Sequence, residues 1–445
     1  MLAVDPLALA RHQIALDRAR TERFPALLGR KLDRMTSSPL AFLRGAAPLF
    51  YELLAAHPSL AEGPRGKGWL TGDLHLENFG AYRPLPLGIG NGKGKGSKGK
   101  ASSKGHQAEH HDGDAAFDLN DFDDAVVGPW HLDVLRLTTS LILGGRELGA
   151  GGKRVLDLAH ELLDAYVEAA FAHERGAAKG ECKLPPEPAP VARLIDQVAG
   201  RSRKELLDGR TEIVKGERRF VRGERYADLP RAIAKQVAQA FSGYARTLVN
   251  ELHPEPEALE VIDAAWRIAG TGSLGGVRVA VLVRGKGGPD GAWVFDMKEQ
   301  GTPSARVLLG KPEKKWRLAP AERVVTAYRA CVARPARLLG TTTMGDLSMV
   351  VRRLSPQEDK LELESLRDED LDALATYLGA LVGRAHARGA TKPPRKRWSA
   401  EDCAGIIDRA IAVAGIHEAA YLSLCKLAGT KRTSARARAH ARQGG

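Results

Sequence analysis

The sequence predicts an α+β protein in which helices and strands are segregated rather than alternating. Three observations carry this expectation. The first sixty residues, and the stretch from Leu132 to about residue 250, read as helical apart from breaks. Beyond about residue 264, short β-branched or aromatic runs are separated by glycine-rich turns, as in an antiparallel sheet. A helical pattern then returns at 321–333 and 371–388. Segregation of this kind argues against a doubly wound sheet, whose elements alternate.

The chain has 445 residues, 43% apolar but only 5% aromatic, so a sizeable core can form mostly from Leu, Val and Ala. Ser38-Pro39 is a cap and first-turn proline for a buried helix through Leu40, Phe42, Leu43, Leu49, Phe50, Leu53 and Leu54. Residues 86–105 repeat Gly and Lys; they cannot bury enough apolar surface to offset their ordering entropy and predict a disordered insertion. Leu132, Leu135, Leu137 and Leu141 open the next helical region, which the Pro-rich 184–188 interrupts. Segments 266–268, 277–283, 293–295 and 349–351 read as strands, and Leu371, Leu374, Leu378, Leu381, Val382 and Ala385 mark one face of a long helix. The expected division is a helical segment over 1–85, an insertion over 86–115, a helical part over 116–255, a β-rich part over 256–360, a helical part over 361–430 and a disordered basic tail over 431–445.

The net charge is +13, which raises nucleic acid or another anion as a partner. However, 86–105 holds five lysines, 431–445 five basic residues and 390–399 four, with no acid in any of them. The remaining body is near neutral, and no motif supports sequence-specific nucleic-acid readout. No uninterrupted apolar run reaches the roughly eighteen residues of a membrane helix. The N-terminus does not read as a secretory signal. Cys182, Cys331, Cys403 and Cys425 show no CxxC spacing, so a reducing cytoplasm is the expected setting.

Three segments carry chemistry. In Thr71-Gly72-Asp73-Leu74-His75-Leu76-Glu77-Asn78-Phe79-Gly80, an acid and an amide five positions apart suit phosphoryl transfer. The carboxylate can take a proton and the amide oxygen can hold a divalent metal, although the same pair can merely fix a turn. In 117–133, Asp118, Asp121, Asp123, Asp124 and Asp133 stand beside Phe117, Leu119 and Phe122. Burying them calls for a cation, and oxygen ligands favour Mg²⁺ or Ca²⁺ over zinc. The third segment, Ala269 to Gly276, contains Gly270, Gly272, Ser273 and Gly275. A strand follows it, not a helix, so a dinucleotide-binding turn is excluded. A glycine loop between two strands lies instead over ATP phosphates in kinases, with a lysine on the third strand. Lys298 fills that place, and Glu322 is its expected acidic partner, with Glu313 and Glu299 as rivals.

The first two segments resemble the aminoglycoside phosphotransferase and choline kinase branch of the protein-kinase-like superfamily. Its catalytic loop reads like His-Gly-Asp-Leu-His-Pro-Gly-Asn, matched here at Gly72, Asp73, Leu74, His75 and Asn78, with Thr71 replacing the first His. Its metal segment has the Asp, Gly and Asp spacing of Asp121, Gly128 and Asp133. The resemblance implies Asp73 as catalytic base, Asn78 and Asp121 as Mg²⁺ ligands, Asp133 as a brace beneath the loop, and ATP with Mg²⁺ as cofactors. Asp118 and Asp123 compete with Asp121 for the metal. Kinases place the glycine loop before the catalytic loop, whereas here it follows. Either the glycine segment is a decoy, or the fold is a circularly permuted, two-lobed protein-kinase-like fold with a helical lobe and a small antiparallel-sheet nucleotide lobe. The helix at 371–388, ending Ala385-His386-Ala387-Arg388-Gly389, favours permutation, while the helix at 40–56 competes for the same place.

Ser38-Pro39-Leu40-Ala41-Phe42-Leu43-Arg44-Gly45, the Gly72 to Gly80 stretch and Phe117-Asp118-Leu119-Asn120-Asp121-Phe122-Asp123 also resemble the bacterial domain of unknown function 2252 family, from about residue 30 to 390. In this setting Arg44 is either an anion contact or a helix-surface arginine. The expected activity is Mg-ATP-dependent phosphoryl transfer to a small-molecule acceptor. Kinase-like AMP transfer and a non-catalytic pseudokinase scaffold are the alternatives. A metallohydrolase is disfavoured, because Gly72-Asp73-Leu74-His75 lacks an upstream Asp-x-His and a downstream Gly-Asn-His. The cluster of His106, His110, His111 and Asp112 reads as a polar flank of the insertion.

Overall fold

The computed structural model describes residues 4–84, 115–172, 182–246, 248, 256–394 and 396–443, with side chains as far as Gly429. The Gly/Lys insertion and the neighbouring histidine cluster lie outside them. The chain is α+β with antiparallel strand pairs throughout.

The N-terminal helices are α1 (Pro6–Arg20), α2 (Ala26–Met35), α3 (Pro39–Gly45) and α4 (Ala47–Ala56). Ser38 Oγ accepts the Ala41 N–H at 3.1 Å, so the expected cap forms. The single helix expected over 40–56 is split at Ala46. Pro48 has no N–H for the Arg44 carbonyl, and its ring crowds that carbonyl, so the ladder restarts.

Four short strands that the sequence did not signal frame the first two motifs: β1 (Lys67–Leu70), β2 (Phe79–Tyr82), β3 (Ala116–Leu119) and β4 (Val126–Pro129). Then come α5 (His131–Glu147), α6 (Gly152–Ala170), α7 (Ala189–Ala199) and α8 (Arg203–Asp208). The helical expectation for 116–255 fails at β5 (Thr211–Val214) and β6 (Glu217–Phe220), a hairpin turning at Lys215 (φ 52°) and Gly216 (φ 84°). Two successive left-handed residues match the twist of such a hairpin.

The β-rich part follows β7 (Tyr226–Ala227) and α9 (Arg231–Ala245). It comprises β8 (Val261–Arg267), β9 (Arg278–Val283), β10 (Trp293–Glu299), α10 (Arg306–Leu309), α11 (Pro320–Cys331), β11 (Gly340–Met344) and β12 (Leu347–Leu354). Its sheet runs β11-β12-β10-β9-β8-β7. Period-2 alternation gives the sheet two faces. Val279, Val281, Phe295, Met297, Met349 and Val351 pack on Phe241 and Tyr244 of α9. Ala280, Leu282, Val294 and Leu354 lie on the opposite face.

The chain closes with β13 (Asp359–Lys360), α12 (Asp368–Arg388), β14 (Ala390–Lys392) and α13 (Ala400–Gln443). Two small sheets, β14-β1-β4 and β13-β2-β3, tie the late strands to the early ones. The 431–443 backbone continues α13 where a disordered tail was expected; its Ala and Arg residues are strong helix formers. By length and composition, α13 over Ala400–Gly429 could cross a bilayer, which a search for uninterrupted apolar runs overlooked. Here Ile406, Ala410, Val413, His417, Ala420 and Leu424 form one buried stripe, the pattern of an amphipathic helix on a core. Among the described residues, Cys182, Cys331, Cys403 and Cys425 form no disulfide with one another.

The large core lies between α5, α6 and α12. On α12, a Cβ at Gly379 would collide with the Leu162 carbonyl of α6, and one at Gly383 with the Tyr166 carbonyl. The two helices therefore approach along a glycine seam, and overpacking such a contact costs about 1–3 kcal/mol. Gly379→Val is expected to lower stability by roughly 2 kcal/mol, read as a fall in the urea midpoint. A midpoint equal to that of the parent protein would contradict the close approach.

Candidate functional site

β1 runs directly into the first motif. Gly72 has φ 80°, and a Cβ there would strike the Asp124 carbonyl, so only glycine fits. Asp133, in the first turn of α5 and fully buried, holds this bend. Its Oδ2 accepts the Thr71 N–H at 2.7 Å and the Thr71 hydroxyl at 3.1 Å, and its Oδ1 accepts the Gly72 N–H at 3.0 Å. Tyr51 donates its hydroxyl to the Gly72 carbonyl at 2.6 Å. Further along, Asn78 Oδ1 accepts the His75 N–H at 2.6 Å, and His75 Nδ1 accepts the Glu77 N–H at 3.1 Å. Burial, with Arg44, Lys360 and Arg136 nearby, holds His75 well below the usual imidazole range, so it is neutral.

Asp73 projects from this bend with about a quarter of its side chain exposed. Its partner is Arg136, fully buried one turn beyond Asp133 on α5. Arg136 Nε donates to Asp73 Oδ1 at 2.9 Å, and its Nη2 pairs with the same oxygen while donating to the Leu43 carbonyl at 2.8 Å. Burial is the largest influence on the Asp73 carboxyl. Together with Asp124 and Asp121 it outweighs the opposing pull of Arg136, and the group is pushed up to about 7.

The second motif divides its carboxylates among several partners. Asp118 pairs with Arg384 of α12 at 2.7 Å and faces away from the cavity described below. Asp121 Oδ1 accepts the Asp123 N–H at 3.2 Å. Burial raises the Asp121 carboxyl, but Lys298, Lys360, Arg352 and Arg278 more than compensate and hold it below the usual range. Asp123 pairs with Lys298 and accepts from Gln300 Nε2 at 2.9 Å. Asp124 takes the Ser304 N–H at 3.0 Å and its hydroxyl at 2.9 Å.

Glu322 is not the partner of Lys298. It lies in the first turn of α11 with its carboxylate 3.4 Å from the Ala319 N–H. The helix turns the buried Arg323 to the aspartate loop instead, donating to the carbonyls of Asp123 at 2.9 Å and Gly301 at 3.0 Å. The rivals are engaged elsewhere: Glu313 with Lys67 at 2.7 Å, and Glu299 with Arg23 at 3.0 Å. The acidic partner comes from the aspartate loop, 175 residues earlier.

The glycine segment joins β8 to β9. Gly270 (φ 81°) and Gly275 (φ 102°) adopt conformations that favour glycine. Arg34 donates to the Gly270 carbonyl, Lys31 Nζ lies 3.5 Å from the Gly272 carbonyl, and a Cβ at Gly275 would strike the Arg20 carbonyl. The segment is therefore seated against α1 and α2, a contact the sequence did not announce. Gly270, Gly272 and Ser273 face the cavity, whereas Gly275 serves the helix contact.

A cavity of about 600 Å³ brings the motifs together. Asp73, Asn78, Asp121, Asp123, Gly270, Gly272, Ser273 and Lys298 all border it, although the chain separates them by up to 225 positions, from Asp73 to Lys298. Glu322 and Gly275 do not. Sequence reasoning missed Arg136, Arg278, Asp296 and Arg352. Two signals were present: Arg136 is the one charged residue of 134–143, and Asp296 and Lys298 alternate along one strand. Among the described residues, no group of three or more His, Cys, Asp or Glu side chains is arranged to hold a metal. Asp121 and Asn78 offer oxygen donors of the type Mg²⁺ takes when substrate phosphates and water complete its shell.

No curated protein and no solved structure matches the chain. The family described as "Uncharacterized protein conserved in bacteria (DUF2252)" matches residues 23–84 and 107–428. The unmatched interval coincides with the Gly/Lys insertion, and both matched blocks contain the motifs that build the cavity. The chain belongs to this bacterial DUF2252 family.

Proposed function

We propose that the protein is a Mg-ATP-dependent phosphotransferase of circularly permuted, kinase-like fold acting on a small-molecule acceptor. The observation that carries this reading is the shared cavity, which Asp73, Asp121, Lys298 and the glycine segment all border. The order of elements supports it. β8, the glycine segment, β9, β10 with Lys298, and α11 follow one another as in a kinase nucleotide lobe. A contact between the two ends of the order also supports the permuted reading: β14, just beyond α12, pairs with β1, and Trp69 N donates to the Gly389 carbonyl at 3.0 Å. The long helix is thereby delivered to the strand that enters the catalytic loop. One departure is that Lys298 pairs with Asp123 rather than with an acid of α11.

In this mechanism Asp73 accepts the proton of the acceptor hydroxyl as its oxygen attacks the γ-phosphorus. The bond to the β-phosphate bridging oxygen breaks, and ADP leaves. Arg136 holds Asp73 in place and lowers its proton affinity, opposing burial. Lys298 and the glycine segment orient the phosphates. Asp121 and Asn78 would hold Mg²⁺, which when bound neutralises charge on the phosphates.

Calorimetry with Mg-ATP tests these roles. Asp73→Asn is expected to abolish turnover, by at least about 100-fold, while nucleotide affinity survives. Asp121→Asn is expected to weaken Mg-ATP binding. Unchanged nucleotide affinity in both variants, with turnover retained, would refute the assignment. Mass spectrometry of products from labelled ATP distinguishes phosphoryl from AMP transfer.

The raised Asp73 carboxyl also sets a pH profile. The base works only when deprotonated, so kcat/KM should fall as pH drops through about 7 and be level above it. A flat profile from pH 5.5 to 8 would remove Asp73 from the role of base.

A further inference from the structure

The sheet face bordering the cavity carries charge where a wall built only for packing would be apolar. Asp296 and Lys298 lie on this face of β10, and the register sets Arg278 opposite Lys298 and Arg352 opposite Asp296. Arg267, at the end of β8, joins them. Asp296 is 2% exposed. Arg267 Nη1 lies 2.8 Å from its Oδ2, and Arg278 grips the same carboxylate through Nε at 2.9 Å and Nη2 at 2.6 Å. The three arginine side chains stay 16%, 11% and 31% exposed for Arg267, Arg278 and Arg352, and all border the cavity.

A purely structural ion pair needs one cation per carboxylate. Here Arg267 and Arg278 both pair with Asp296, the carboxylate of this sheet face, with Arg352 set opposite it, while Lys298 pairs with Asp123 of the aspartate loop. The ion pair of Arg352 is with Glu358 at 3.6 Å, too far for a hydrogen bond. Guanidinium groups taken from water without their full complement of acceptors are costly, and a bound anion relieves that cost. Planar guanidinium forks match phosphate oxygens. Asp296 and Lys298 are two residues apart, about 7 Å along a strand, a length that two or three linked phosphoryl groups cover.

We propose that Arg267, Arg278 and Arg352, grouped around Asp296, form a polyphosphate-binding wall continuous with Lys298. A ligand's phosphate chain then lies along β10, and its organic part is held away from the sheet. The proposal rests on the phosphotransferase reading only for the ligand's identity as a nucleotide.

The test is calorimetry of the full chain with inorganic tripolyphosphate and, separately, adenosine, each with Mg²⁺. Arg352→Gln is the mildest variant, because its ion pair is long. The charge-balanced double variant Arg278→Gln with Asp296→Asn guards against misfolding, and thermal melting reports the fold of both. Loss of a charge-assisted contact should weaken tripolyphosphate binding about tenfold or more in each folded variant, with adenosine binding unchanged. Absence of tripolyphosphate binding to the parent protein, or equal affinity in parent and folded variants, overturns the wall. Equal weakening of adenosine overturns it too, since the base would then lie against the sheet. Tripolyphosphate binding that follows the expected pattern, with ATP never consumed, leaves the wall standing and refutes the phosphotransferase. ATP turnover with unaltered tripolyphosphate affinity does the reverse.

Discussion

One buried carboxylate organises the cleft. Asp133 takes three hydrogen bonds from Thr71 and Gly72, and its Oδ2 lies 3.4 Å from His386 Nε2 of α12, whose Nδ1 is 2.9 Å from the Tyr166 hydroxyl of α6. A carboxylate with this many donors is well compensated inside a protein. It fastens the end of β1 to α5, α6 and α12 at a single point. Because Asp73 follows Gly72 directly, its position depends on this fastening. Thr71 adds its hydroxyl to this brace, donating to Asp133 Oδ2 at 3.1 Å.

The cleft is then held by opposite charges that meet across distant segments. The acidic loop after β3 would be costly to bury alone. The protein spends most of that charge internally: Asp118 on Arg384, Asp123 on Lys298 and Gln300, Asp124 on Ser304. Asp118 is thereby turned from the cavity, which Asp121 and Asp123 both border. Basic residues enter chiefly from the sheet and from the N-terminal helices, which also cover the glycine segment.

Elements with a strong repeating pattern were legible before folding. The strands near 277–283 and 293–295 and the helix at 371–388 form as their periodicity implies, because alternation and helical spacing are local properties. β1 to β4 escaped notice because four residues are too few to show a period, and their pairing partners lie far along the chain. The split at Ala46 was legible in Pro48 but masked by the continuous apolar run. Asp73 and Asn78 border one cavity because a short loop brings them together by itself.

Pairings between segments are another matter. Glu322 looked apt for Lys298 by position along the chain, yet which side of α11 meets the aspartate loop is set by how that helix packs, and Arg323 meets it. Arg136 acquired its role only when α5 settled beside the β1 loop. The arginines around Asp296 became a group only when β8, β9, β10 and β12 found their register. Residue types and local spacing therefore determined which chemistry was possible. Long-range packing decided which charges neutralise one another and which face the cavity, because that depends on distances no local stretch of chain encodes.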